Sequence, residues 1–299
     1  MDFGEVRSLV NTSDDDDRAL AWPALLEAMK EALDERPSEV SDVWLPYVLQ
    51  ALERWPDRLR VAPRKWLNAI IRGEHVGVLM ALVTAIDANR VSNPRFRAMC
   101  ERRDFTWVRH LHFEGHDFKL ATARALGASE AFTNLSSLAF VDSKLGIQKL
   151  RAIMGNPFAQ NLVALTMSSC RIAGGDIASI LRLVSFDGLE RLDLSRNYLM
   201  DRPCFEALAG AALPSLRRLD LSGSWAPVED LDVLLGASWI PQLDSLSLER
   251  SHMSMYLDGF HRVGAINIEA LNIEQGIRER VLDSGLRPEV AAVTAETIQ

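Results

Sequence analysis

A core of apolar residues recurring at a fixed step constrains this chain more than any other feature. Leu189, Leu192, Leu194, Asn197 and Leu199 spell L-x-x-L-x-L-x-x-N-x-L. The core returns at Leu216, Leu219 and Leu221, a step of 27 (216 − 189), and again at Leu243, Leu246 and Leu248 (243 − 216). Upstream, the copies that begin at Leu162, Leu135 and Val108 keep the step of 27, and a shortened copy begins at Ile268 after a step of 25. Alternation puts Leu192 and Leu194 on one face of a short strand, and Arg191, Asp193 and Ser195 on the other. Asn197 suits the capping of backbone groups that a turn leaves unpaired.

One copy cannot bury its apolar face alone, so successive copies must stack. The strands then form a parallel sheet, and the rest of each period returns the chain. Leu126, Ile153, Ile180, Ala207 and Leu234 all stand at the same offset from their own starts, 18 in each case (126 − 108 for the first). Their surroundings have helical spacing, which predicts return helices with these residues pointing inward. Strands and helices differ in width, so the stack is expected to curve into an arc.

The pattern resembles the leucine-rich repeat family, most closely its ribonuclease-inhibitor-like class, over about residues 105–275. The resemblance implies an α/β solenoid with a curved parallel sheet, helices on the convex side, and a protein partner on the concave face. Function does not follow from fold, so that partner is an analogy. The sequence departs from the family at the asparagine position. His116, Ser143, Cys170, Ser224 and Ser251 stand there, and only Asn197 keeps the family residue. The polar ladder is therefore expected to be weaker here.

Residues 1–104 read as an N-terminal α-helical cap, 105–277 as the solenoid of about seven repeats, and 278–299 as a C-terminal cap or tail. Ser13, followed by Asp14, Asp15, Asp16 and Asp17, reads as a helix start, where the dipole favours acids. Helical spacing places Leu25, Met29 and Leu33 on one face, and Trp44, Val48, Leu49 and Leu52 on the next. Pro63 opens a third helix carrying Trp66, Ile70 and Ile71. The apolar run from His75 to Ala88 reads as a buried fourth helix. Thr84, Ile86, Asn89 and Val91 also partly fit a degenerate core placed one period of 27 before the first. Similar helical segments precede the repeats of some bacterial leucine-rich repeat proteins.

The formal net charge is −8, which argues mildly against general nucleic-acid binding. It divides unevenly. Residues 1–50 hold 12 acids and 4 bases, whereas residues 51–104 hold 6 acids and 11 bases. Arg54, Arg58, Arg60, Arg64, Lys65 and Arg72, interleaved with Trp55 and Trp66, are residues a nucleic-acid groove would use. Core tryptophans, with arginines facing solvent or the acidic first helix, are the better reading. Three scattered cysteines, Cys100, Cys170 and Cys204, fit a reducing compartment rather than a disulfide framework. With no signal-peptide pattern and no apolar run of about 18 residues, the expectation is a cytoplasmic protein without a membrane span.

The common catalytic and phosphate-binding motifs are absent. No cofactor, small-molecule substrate or enzymatic activity is expected. A metal site on His110, His112 and Glu114 is the rival reading, because alternation puts all three on one face of the first repeat strand. The interaction reading has more support. The two exposed columns of the sheet run His110, Ser137, Ala164, Arg191, Arg218, Ser245, Ala270 and His112, Ala139, Thr166, Asp193, Asp220, Ser247, Asn272. They are small and bland in the middle but charged in repeats four and five. In a parallel sheet Arg191 should lie beside Arg218, and Asp193 beside Asp220, with Arg–Asp diagonals easing the like-charge contacts. A rim column follows: Asp117, Lys144, Arg171, Tyr198, Trp225 and His252. Tyrosine, tryptophan and arginine dominate interface hot spots. The expected partner-binding residues are therefore Arg191, Asp193, Tyr198, Arg218, Asp220, Trp225 and His252.

Overall fold

The computed structural model describes residues 2–74, 77–89, 91–197, 201–224 and 230–247. The described residues form two compact units, one within 2–112 together with 130–135, the other within 113–129 and 136–247. The seventh core, its predecessor's Leu248, and the C-terminal segment fall outside the described residues.

In the first unit, α1 (Phe3–Val10) starts at a reciprocal cap. Asp2 accepts from the Glu5 backbone N–H at 2.9 Å, and Glu5 accepts from the Asp2 N–H at 3.1 Å. In α2 (Asp15–Glu35) the cap is Asp14 rather than the expected Ser13. Its carboxylate accepts from the N–H groups of Asp16 and Asp17 at 2.8 and 2.9 Å. A carboxylate there also meets the positive end of the helix dipole, which a hydroxyl cannot. Leu25 and Met29 are buried, as their spacing predicts. Next, α3 (Pro37–Glu39) runs through one π-helical stretch, Val40–Trp44, into α4 (Leu45–Leu52). After Pro63 comes α5 (Arg64–Ile71), which buries Trp66, Leu67 and Ile70.

The predicted fourth helix does not form. The described part of that run is a 3-10 stretch, Val78–Leu82, followed by a strand, β1 (Ala85–Asp87). Short apolar runs rich in β-branched residues are ambiguous between helix and strand, and Val83, Thr84 and Ile86 favour the strand. β1 pairs in parallel with β2 (His110–Glu114), Ile86 opposite Leu111. A degenerate core thus precedes the first, but at a step of 25 (111 − 86) rather than 27. Its apolar positions are Val83, Ile86 and Ala88, all buried. Val61 bridges the other side of β1 at Ala85, so part of that strand's edge is already paired. α6 (Asn93–Cys100) follows, and its Phe96 stacks on Phe132 at 5.9 Å.

The second unit is built of strand-and-helix periods. Its strands are the end of β2, then β3 (Ser137–Val141), β4 (Ala164–Ser168), β5 (Arg191–Asp193), β6 (Arg218–Asp220) and β7 (Ser245–Ser247). The return helices are α7 (Leu120–Gly127), α8 (Gly146–Met154), α9 (Gly174–Leu183), α10 (Arg202–Gly210) and α11 (Leu231–Leu235). From β3 to β7 the strands of this unit are parallel and follow chain order among the described residues. Leu138, Leu165, Leu192, Leu219 and Leu246 stand opposite one another in turn. Leu165, Met167, Leu192 and Leu194 meet Ile177, Ile180 and Leu181 of α9, so the helix covers the leucine face. The predicted inward residues Leu126, Ile153, Ile180 and Leu234 are buried; in α10, Leu208 takes that place beside a half-buried Ala207.

Candidate functional site

Alternation leaves the second face of β5 and β6 to charged side chains. On β5 and β6, Arg191 lies opposite Arg218 and Asp193 opposite Asp220. Both arginines are exposed and both aspartates half-buried, while Leu192 and Leu219 between them are buried. The expected neighbour relations therefore hold.

The expected Arg–Asp diagonals do not. Among the described residues, neither arginine forms an ion pair with either aspartate. Asp193 accepts from the Ser195 N–H at 2.9 Å, and Asp220 from the Ser222 N–H at 2.8 Å. Each carboxylate folds over its own strand end, as aspartate does in local turns. The repeated Asp-x-Ser is a readable signal that the spacing argument overlooks. Among the described residues Arg191 pairs only with Glu190, at 3.5 Å and equally exposed, and Arg218 makes no ion pair. Burial pushes the Asp193 carboxyl above its ordinary value; hydrogen bonds from Ser195 oppose this, and the neighbouring Asp220 adds to it. Towards β3 the same columns hold Ala164 and Ala139, both small, apolar and buried.

The turn leaving each strand shares one conformation. Gly115, Asp142, Ser169, Arg196 and Gly223 follow one another at the repeat step, and all take φ between 49° and 66°. The N–H groups of Gly115, Asp142, Ser169 and Arg196 donate to the carbonyls of Val141, Ser168, Ser195 and Ser222 at 2.7–3.0 Å. The left-handed residue thus carries the inter-repeat ladder one step beyond the strand. The asparagine position comes next. Asn197 Oδ1 accepts from the N–H groups of Cys170 and Ile172 at 3.0 and 3.2 Å, and Nδ2 donates to the Met167, Leu194 and Ser195 carbonyls. Ser143 and Ser224 reach one carbonyl each, and the Cys170 thiol reaches those of Phe140 and Ser168. His116 is buried against the rings of Phe113 and Phe118.

Of the rim column, Asp117, Lys144 and Arg171 are exposed. Tyr198, Trp225 and His252 lie outside the described residues. Contact with Lys119 holds the Asp117 carboxyl below the usual carboxylate range.

The His110 and His112 ring centroids stand 6.4 Å apart. Among the described residues, no three His, Cys, Asp or Glu side chains come together to hold a metal ion. In the basic region Trp55 and Trp66 are buried and offer no face for stacking bases. Arg58 pairs with Asp15 and Lys65 with Glu27, while Arg60 donates to the Leu82 and Ala81 carbonyls. A cavity of about 260 Å³ in the first unit is lined by Ile70, Met80, Arg102, Asp104 and Trp107 among others. Arg102 is already engaged there by Asp104 and the Ile71 carbonyl. Cys170 and Cys204 are buried, which pushes both thiols up to about 12, so neither suits nucleophilic chemistry.

A step of 27 in sequence is thus a step of one strand in space, from β3 to β7. The fold is a leucine-rich repeat solenoid. No protein-family model matches the sequence, and no curated protein does. Among solved structures, an internalin from Listeria monocytogenes aligns with a TM-score of 0.38 at 18% identity, over 60% of this chain. The alignment spans 45% of that internalin's length. The solenoid stands on the chain's own register rather than on that likeness. Among the described residues, no helix is long and apolar enough to cross a membrane.

Proposed function

We propose that this chain is a non-enzymatic scaffold that binds another protein through the exposed sheet face and adjoining rim of repeats four and five. The observation that carries the reading is the pair Arg191 and Arg218, held side by side and exposed, with almost no neutralisation by the described residues. Like charges at neighbouring sheet positions are unfavourable, and a partner of opposite charge relieves that cost. Asp193 and Asp220 form the adjoining row. By their place in the rim column, Tyr198, Trp225 and His252 add contact area beside it. A ribonuclease-inhibitor-like repeat class, a capping role for the N-terminal unit, and a reducing, cytoplasmic setting for its buried thiols complete the reading.

The test is capture of partners from lysate by wild type and by Arg191→Ala/Arg218→Ala, read by mass spectrometry once circular dichroism shows that the variant folds. The scaffold reading predicts a partner held by wild type and lost by the variant. Equal recovery would move the site away from this face, and capture of nothing by wild type would count against a binding role altogether.

A further inference from the structure

The two charged rows of this face constrain the kind of segment that can lie on it. Arg191 and Arg218 form one row, Asp193 and Asp220 the other, and each residue stands opposite its like on the adjacent strand. The rows are separated by two residues along the strand, roughly 6.6 Å. Neither row neutralises the other, because both carboxylates turn to their own backbone at Ser195 and Ser222. The face therefore keeps a positive row and a negative row at a fixed spacing.

We propose that the face takes an extended segment of the protein partner carrying an acid and a base two residues apart. Its carboxylate lies on Arg191 and Arg218, and its cation lies over Asp193 and Asp220. The inference rests on the protein-binding reading above and adds the chemistry of the partner. An extended chain places residues i and i+2 on one side at the same roughly 6.6 Å, so a segment parallel to β5 and β6 matches both rows at once. A purely acidic segment meets the aspartate row, and a purely basic one the arginine row, at a cost in each case. The net charge of −8 further disfavours non-specific capture of acidic peptides, so binding of one reports a local site.

The experiment is a titration of the isotope-labelled full chain at low salt, followed by amide NMR shifts, with three end-blocked peptides of equal length. One carries Glu-Ala-Lys, one Glu-Ala-Glu and one Lys-Ala-Lys, each flanked by alanines. The mixed peptide should move the amides of β5 and β6 and bind at least about tenfold more tightly than either like-sign peptide. Arg191→Gln/Arg218→Gln and, separately, Asp193→Asn/Asp220→Asn should each abolish that advantage. An acidic peptide that binds as tightly as the mixed one overturns the two-row inference. So does an absence of shifts in β5 and β6 at millimolar peptide. In either case a partner lost from the lysate capture by the arginine variant still supports the scaffold, so the two readings fail separately.

Discussion

Asn197 shows how much one side chain can hold in a solenoid. It receives two backbone N–H groups and donates to three carbonyls, all around a buried turn. Asn197→Ala strands two buried donors at once and should cost about 3 kcal/mol in denaturant unfolding, whereas Ser143→Ala should cost about 1 kcal/mol. That gradient was legible in the sequence, since serine and cysteine stand where asparagine belongs. The role of Asp193 was not, because columns of charge say nothing of which way a carboxylate bends. Its raised pKa makes a further prediction. A carboxyl raised by folding takes up more protons in the native state, so stability falls as pH rises from the ordinary carboxylate range through the raised value. Asp193→Asn keeps an acceptor for the Ser195 N–H and removes that slope. Unfolding curves between about pH 4 and about pH 7 should show the variant's advantage growing with pH. A constant difference would contradict the assignment.

At the scale of elements, the turn after each strand and the approach of neighbouring helices set the tolerances. Gly223 sits at φ 66° with Arg196 Cγ only 3.0 Å from where a Cβ would be, so Gly223→Ala should lose about 1 kcal/mol or more. Ser169→Gly puts a residue better suited to that conformation at the equivalent place and should lose nothing. Gly127, at the end of α7, is tighter still: a Cβ would stand 1.7 Å from the Ala152 carbonyl oxygen of α8. Gly127→Ala should therefore cost about 3 kcal/mol or prevent folding, which thermal unfolding would show directly. The left-handed column was hidden in the sequence because glycine, aspartate, serine and arginine share no obvious preference there; the repeated hydrogen bond to the next strand imposes the conformation. β1 was misread for the opposite reason. Its apolar run fits a buried helix by composition, and only pairing with β2 decides in favour of the strand.

At the scale of the whole molecule, the repeat period dictates the sheet register, and the register brings the charged columns together. Five strands in succession share that step, so the placement of Arg191 beside Arg218 followed from counting alone. In the basic stretch of the N-terminal unit, Arg58 and Lys65 pair with Asp15 and Glu27 of α2, and Trp55 and Trp66 are buried. The face of β5 and β6, by contrast, keeps its paired arginines exposed and almost unneutralised among the described residues. The most direct measurement is amide hydrogen exchange of the chain alone and in complex with the partner captured from lysate. Binding at this face predicts new protection across residues 191–196 and 218–223, absent in complexes attempted with Arg191→Ala/Arg218→Ala. Protection confined to residues 1–74, with those strands unchanged, would contradict it.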